Sequence, residues 1–368
     1  MSRLRLLFDW RFVRFALKRF SAGWYRLVRD YQRTQGAPAD LAVRSDLFVS
    51  DYRYLTKDHS SVMSSSVRII TPIGPCDKQT GVFLGRSSYL GPNVYIEIGS
   101  GNVVRIGDET SINPNTVLIG DIWIGNHSMV APDVYISSGN HFATYRPHWL
   151  IRDQDVAARA DPLVQHQANQ PVTIEDDCWI GKGVLIRSGV YIGRGAIIGA
   201  NSVVTKDVPP YSIQAGLPNR EIGRRFLFDP PTRIEAAEER HWPYFYYGFR
   251  MRQADCEDLV RTGVLRTREG SLRVVMRGGA FRLLHVKGMT LGSAGTMTYR
   301  IECNGAPLGR LECGATVFDS SLSVDPSVWR RTAPSSLPSV LREHNVLTLT
   351  PDAAAGKPAI GIASIQIS

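Results

Sequence analysis

The sequence predicts a mainly β chain: a parallel β-helix in the middle, a helical arm before it and an antiparallel β-sandwich after it. Three periodicities carry this. Apolar residues recur at every sixth position between residues 84 and 204, at alternating steps of four and three in the first 36, and at every second position beyond residue 266. A period of six belongs neither to a helix nor to a simple alternating strand. It fits a coil of short strands in which one aliphatic per strand points inward and stacked coils align these aliphatics as ladders.

The ladders read Leu84, Leu90 and Ile96; then Ile106, Ile112, Leu118, Ile124, Val130 and Ile136; then Ile174, Ile180, Ile186, Ile192, Ile198 and Val204. Small or β-branched residues two before an aliphatic (Thr110, Thr116, Ser128, Val184, Val190, Ala196, Ser202) are expected to fill the remaining interior. Glycine often follows the aliphatic, as at Gly107, Gly125, Gly181, Gly193 and Gly199, and is expected to let the chain turn sharply between strands. From Ile136 to Ile174 the register holds if six residues are a strand and 32 are an inserted loop. Loops of that length inside a compact domain are functional or disordered.

Before the β-helix, Leu6, Trp10, Val13, Leu17, Phe20, Trp24, Leu27 and Tyr31 fall on one face of a helix. Residues 1–36 hold nine Lys/Arg against Asp9 and Asp30, so +7 of the chain's +9 lies there and +2 elsewhere. A nearly balanced body with one basic arm argues against a nucleic-acid groove. The arm either lies on an anionic membrane surface or packs on the body or a neighbouring subunit.

After Val204, Pro209 and Pro210 end the strand pattern. Residues 232–262 have mixed helical character, and the runs Leu272–Met276, Phe281–Val286, Met297–Cys303, Val346–Thr350 and Ile360–Ile367 alternate as strands of a sandwich. The expected domains are a helical basic arm (1–60), a β-helix (61–226) with inserted loop 142–173, a helical linker (227–265) and a β-sandwich (266–368). At 368 residues, 43% apolar and 21% charged, the chain can bury such cores. The five cysteines, Cys76, Cys178, Cys256, Cys303 and Cys313, are scattered without C-x-x-C spacing, which fits reduced thiols in a cytoplasm. No apolar run reaches the roughly 18 residues of a membrane span.

From Ile174 to Arg225 the chain resembles the hexapeptide-repeat acetyltransferases of the maltose, galactoside and xenobiotic type. The resemblance rests on Pro171, Val172, Thr173 and Ile174, on Trp179, Ile180 and Gly181, on Thr205, Lys206, Asp207, Val208, Pro209 and Pro210, and on Ala215, Gly216 and Pro218. It fades backward toward residue 65. It implies a left-handed parallel β-helix, an exception to the usual crossover hand, together with a homotrimer and acetyl-CoA as co-substrate.

The resemblance also assigns roles. His141, at the start of the inserted loop, matches the general base, and imidazole suits the task of taking a proton from a sugar hydroxyl. Trp179, Gly181, Ala200, Thr205, Lys206 and Arg220 match positions that contact acetyl-CoA, with Arg224 and Lys182 as further basic candidates. Asn140, His148 and His166 are candidates for the acceptor site. A carboxylate from Asp153, Asp155, Asp161 or Glu175 is expected to hold His141 in its working tautomer.

The reading is an acetyl-CoA-dependent O-acetyltransferase acting on a sugar or polysaccharide precursor, cytoplasmic or peripheral at the inner membrane face, with a carbohydrate acceptor and no metal. Its alternatives are transfer to the amine of an amino or nucleotide sugar, and a non-catalytic glycan-binding trimer. A zinc lyase on the same fold would draw on His127, His141 and His148. A Ser/His/Asp hydrolase lacks its G-x-S-x-G turn.

Overall fold

The six-residue period is realised as three parallel sheets that form the faces of a left-handed β-helix. In this computed structural model the described residues are 47–72, 80–249, 264–266, 271–290, 297–314, 316–325, 338–352 and 360–368, with Asp255 and Thr262. The expected arm over residues 1–36, Cys76 and Cys256 lie outside them. The chain divides into two units between Phe226 and Leu227.

In the first unit, face A stacks Phe48–Val49, Arg68–Ile70, Tyr95–Glu97, Val117–Ile119, Tyr135–Ser137, Leu185–Ile186 and Val203–Val204. Face B stacks Leu55–Lys57, Gly81–Leu84, Val103–Ile106, Ile122–Ile124, Val172–Ile174 and Tyr191–Ile192. Face C stacks Val62–Met63, Tyr89–Leu90, Ser111–Ile112, Met129–Val130, Trp179–Ile180 and Ile197–Ile198, then Ser212–Gly216 and, antiparallel to it, Asn219–Arg224. Every aliphatic of the three ladders is buried. So are the small residues two before them, and Thr110 and Ser128 give their hydroxyls to the carbonyls of Gly125 and Glu175 at 2.6 and 3.1 Å.

Successive coils pair residues 18 apart, as Ile106 with Ile124, whereas Ile124 pairs with Ile174, 50 residues on. The difference, 50 − 18 = 32, is the length of the insertion. The β-helix begins before residue 61, because Phe48–Val49 and Leu55–Lys57 already pair with the next coil. A 3-10 turn at Tyr52–Tyr54 breaks the period there, which hides the first coil from a search for sixes.

The turn glycines do a different job from the expected one. The backbone turns left-handed three residues after eleven of the fifteen aliphatics, at Ser87, Asn93, Glu109, Asn115, His127, Asp133, Asp177, Gly183, Gly189, Gly195 and Asn201, with φ between 51° and 75°. The glycines directly after the aliphatics lack that geometry. A β-carbon on Gly107 would lie 2.6 Å from the Gly125 carbonyl carbon, and one on Gly181 2.7 Å from the Ala200 nitrogen. They are glycine because coils touch there.

The carboxy-terminal end is closed by Asp207, whose Oδ1 accepts the Tyr191 N–H at 2.9 Å, and by the antiparallel hairpin on face C.

The second unit holds two antiparallel sheets. One orders Arg233–Glu235, Ile360–Ile367, Leu283–Thr290 and Val317–Ser323, with Leu265–Arg266 also on Ile360–Ile367; the other orders Leu272–Met276, Asn345–Pro351, Met297–Cys303 and Ala306–Cys313. The helical linker is corrected in its described part: residues 227–249 contain the strand Arg233–Glu235 and a short 3-10 helix, Glu239–Tyr244, broken by Pro243. Phe245 and Tyr246 of the aromatic cluster are buried. Besides the short strands Arg233–Glu235 and Leu265–Arg266, two long ones escaped the sequence reading, Ala306–Cys313 and Val317–Ser323, whose glycine, proline and serines blur the alternation. Cys178, Cys303 and Cys313 are free and buried, and burial pushes the latter two thiols up to about 12.

Candidate active site

The inserted loop leaves the β-helix at the end of Tyr135–Ser137 and returns at Val172. Its two roots are tied together: the Ser138 hydroxyl bonds the Asn169 side chain and accepts the Asp121 amide at 2.7 Å, and Gly139 bridges Asn169 antiparallel. The Asn140 amide reaches the Ala168 carbonyl at 3.0 Å. These bonds fix the direction in which the next residue, His141, emerges.

The loop has its own small core, Phe142, Ala158 and Ala168, against which Tyr145 and Val164 pack. It contains one α-helix, α1 (Ile151–Ala160), and a short 3-10 helix, Gln165–Ala168. Gln154 of α1 is buried, accepting the Arg146 N–H and donating to the Trp149 carbonyl, both at 3.0 Å. Tyr145 donates to Asp161 at 2.8 Å. The helix is thereby pinned against the segment that carries His141.

That pinning sets Asp155 beside His141. Nδ1 of His141 lies 2.5 Å from Oδ2 of Asp155, and the other carboxylate oxygen accepts the Phe142 N–H at 2.7 Å. The hydrogen bond from His141, followed by that from Phe142 and the nearby charges, holds the Asp155 carboxyl below its ordinary range. An ionised carboxylate only accepts, so Nδ1 carries a proton and in the neutral ring Nε2 is left with a free lone pair. His141 is 78% exposed and Asp155 15%, so the ring faces outward from a sheltered support. Among the described residues Nε2 has no protein partner.

Of the four carboxylates expected for this support, the structure selects Asp155. Asp161 holds Tyr145 instead, and Glu175 is buried inside the β-helix, accepting the Tyr191 hydroxyl at 2.9 Å. Sequence reasoning missed the residues that build the frame: Gln154, Asn169, Arg159, whose guanidinium donates to the Asn140 carbonyl at 3.2 Å, and Asp121, half-buried at the loop root with its carboxyl pushed up by burial. Their partners lie up to 31 residues away, and no local spacing carries such a signal.

Asn140, His148 and His166 are all exposed on the loop. Asn140 is adjacent to His141, and its side-chain amide has no partner among the described residues. His148 stands edge-on to Trp149 at 6.3 Å; no contact joins it or His166 to His141 among the described residues. His127 is one of the left-handed corner residues and lies 3.6 Å from Glu109. Among the described residues no three His, Cys, Asp or Glu side chains converge as metal ligands.

The residues expected to meet acetyl-CoA fall on the last coils. Trp179 is 50% exposed in the outward column of face C, between Met129 and Ile197. Gly181 and Ala200 meet at the next corner, and Lys206 and Arg220 are exposed beyond them. Two further basic candidates are already engaged: Lys182 lies 3.3 Å from Asp133, and Arg224 lies 2.6 Å from Glu221.

Comparison with known proteins places the chain in a family. Residues 171–206 match the family model "Bacterial transferase hexapeptide (six repeats)". The galactoside O-acetyltransferase of Escherichia coli is 33% identical over 147 residues, 39% of this chain and 64% of that protein. An inferred acetyltransferase of Saccharomyces cerevisiae is 31% identical over 187 residues, 50% of this chain and 83% of that one. Among solved structures, a hexapeptide-repeat acetyltransferase of Vibrio cholerae is 34% identical over 38% of this chain and 72% of that chain, with a TM-score of 0.30. The chain spans 64% and 59% of the length of the galactoside O-acetyltransferases of E. coli and Lactococcus lactis. With its ladders of sixes, its inserted loop and a relative covered over most of its length, the chain belongs to the hexapeptide-repeat acetyltransferases.

Proposed function

We propose that the chain transfers an acetyl group from acetyl-CoA to a hydroxyl of a sugar or polysaccharide precursor, with His141 as general base and Asp155 as its positioning residue. One observation carries this reading: at the mouth of the inserted loop an imidazole is held through Nδ1 by an ionised carboxylate and presents Nε2 outward. The names of the two galactoside O-acetyltransferases support a glycoside hydroxyl as acceptor.

The steps follow from this geometry. Nε2 takes the acceptor proton as the hydroxyl oxygen bonds to the thioester carbonyl carbon, giving a tetrahedral oxyanion. Collapse breaks the C–S bond, and the proton on Nε2 passes to the leaving sulfur, yielding the acetyl ester and free CoA thiol. Asp155 stabilises the transient imidazolium without itself changing protonation.

Trp179, Gly181, Ala200, Thr205, Lys206 and Arg220 would hold the co-substrate, the two cations meeting its phosphates. Asn140, with His148 and His166 farther along the loop, would line the acceptor side. The assembly proposed is a homotrimer, with residues 1–36 lying on an anionic membrane surface; no helix among the described residues is long and apolar enough to cross one.

The test is thiol release from acetyl-CoA with a panel of sugars, amino sugars, nucleotide sugars and oligosaccharides, comparing wild type with His141→Ala. Acceptor-dependent release that falls at least about a hundredfold in the variant supports the reading. Absence of both release and acetyl-CoA binding by calorimetry overturns it in favour of a non-catalytic trimer.

A further inference from the structure

The second unit has a groove of about 520 Å³ where Ala306–Cys313 runs beside Val317–Ser323, a volume in the range of small-ligand sites. Ligand pockets are mostly apolar. This one is lined by Thr298, Arg310, Glu312, Ser320, Ser321 and Asp352, with Leu311 as its only aliphatic. We propose that it binds an uncharged pyranoside of a glycan, a function separate from acetyl transfer.

The charges on the strands point to this class. Arg300 and Arg310 stand directly opposite one another on neighbouring strands, an arrangement that is unfavourable by itself. Asp352 relieves it, its two oxygens each taking the Nε of one guanidinium at 3.1 Å. The Nη edges of both arginines then have no partner among the described residues. Glu312, two positions along the same face and about 6.8 Å from Arg310 along the strand, does not pair with it, and its carboxylate has no partner among the described residues either.

A bidentate donor and a bidentate acceptor therefore stand about one sugar ring apart. Ser321 adds an acceptor. His285 faces Asp319 through Nε2 at 2.8 Å and Ser321 through Nδ1 at 2.7 Å, so in the neutral ring Nδ1 accepts the Ser321 O–H and the hydroxyl's lone pairs are left for a ligand. The charged residues lining the groove, Arg310 against Glu312 and Asp352, sum to −1 by formal count, and Arg300, paired with the same Asp352, brings the face to zero. A carboxylate, sulfate or phosphate would meet the Glu312 carboxylate as well as the arginines. Hydroxyls that both donate and accept satisfy both.

Cathodic native gels containing galactomannan, arabinogalactan, starch or dextran, with polygalacturonate as an anionic control, test the full chain. Wild type and His141→Ala are expected to be retarded alike by at least one neutral polymer, and it is the loss of retardation in the groove variants below that keeps this site distinct from the proposed active site. Arg310→Ala and Glu312→Gln should each raise the apparent dissociation constant at least about tenfold, the loss of one charge-assisted bond. Glu312→Gln is isosteric, and its thermal melting shows that the fold survives. No retardation by any neutral polymer, retardation by polygalacturonate alone, or retardation that both variants keep would overturn the proposal.

Discussion

His141 and Asp155 are fourteen residues apart in sequence, yet Nδ1 of the one lies 2.5 Å from Oδ2 of the other, while the second oxygen of that carboxylate holds the amide next to His141. The carboxylate thus fixes the ring and the backbone that carries it. This division of labour makes the pair separable from binding. Asp155→Asn keeps the volume but can donate to Nδ1, stabilising the tautomer whose proton sits on Nε2. We expect kcat to fall about 10²- to 10⁴-fold with acceptor KM changed little. Steady-state kinetics on the acceptor found by the panel measures it; a rise in KM at unchanged kcat would show that Asp155 serves binding instead.

The same contact dictates a pH response. Asp155 titrates below its ordinary 3.8 in the folded chain because the hydrogen bond from His141 favours the ionised form. A carboxyl with a depressed folded pKa contributes stability that is present above its unfolded value, about 3.9, and lost as pH falls through the folded one. The Phe142 amide, bonded to the same carboxylate, reports this directly. Its proton resonance in phenylalanine-labelled protein should show an acid transition with a midpoint below 3.8. In Asp155→Asn that transition should vanish.

Much of the β-helix was legible because its signal is local and repeated: an aliphatic every sixth residue must face inward, and each one does. What the period could not show was the reason for each glycine, since closeness between coils is set by residues 18 or 50 positions away. The first coil was hidden where Tyr52–Tyr54 turns out of step. At the site, His141 could be named from a motif, whereas its support could be narrowed only to four carboxylates. Choosing Asp155 required knowing how α1 packs, which depends on the buried amide of Gln154 and on Phe142 meeting Ala158 and Ala168.

The two kinds of corner residue predict opposite responses to substitution. Gly125→Ala would place a β-carbon 2.6 Å from the Asp176 backbone nitrogen of the next coil, and forcing coils apart costs about 1–3 kcal/mol. Ser87→Gly replaces a residue held at φ 51° by one that adopts it freely. The relief, about 1–2 kcal/mol, is offset by about 0.5–1 kcal/mol of added chain entropy in the unfolded state. Denaturant midpoints should fall clearly for Gly125→Ala and stay level or rise slightly for Ser87→Gly. A fall of equal size in both would mean that the corner conformation is not what the sequence is satisfying.

Lys206 is exposed, whereas Lys182 is held by Asp133, so under the proposed function the two are expected to contribute differently to co-substrate binding. A free ammonium can follow a phosphate; one already beside a carboxylate must give up that partner first. Lys206→Ala is therefore expected to raise KM for acetyl-CoA about tenfold at low salt, with kcat unchanged and the effect shrinking as ionic strength rises. Lys182→Ala should change KM by less than about twofold, as an exposed ion pair contributes little. Acetyl-dephospho-CoA decides which phosphate is involved: if Lys206 meets the 3′-phosphate, wild type and Lys206→Ala should bind this analogue equally. If the variant still loses about tenfold on the analogue, the lysine acts on the pyrophosphate, and the nucleotide end of the co-substrate lies farther along the carboxy-terminal coils.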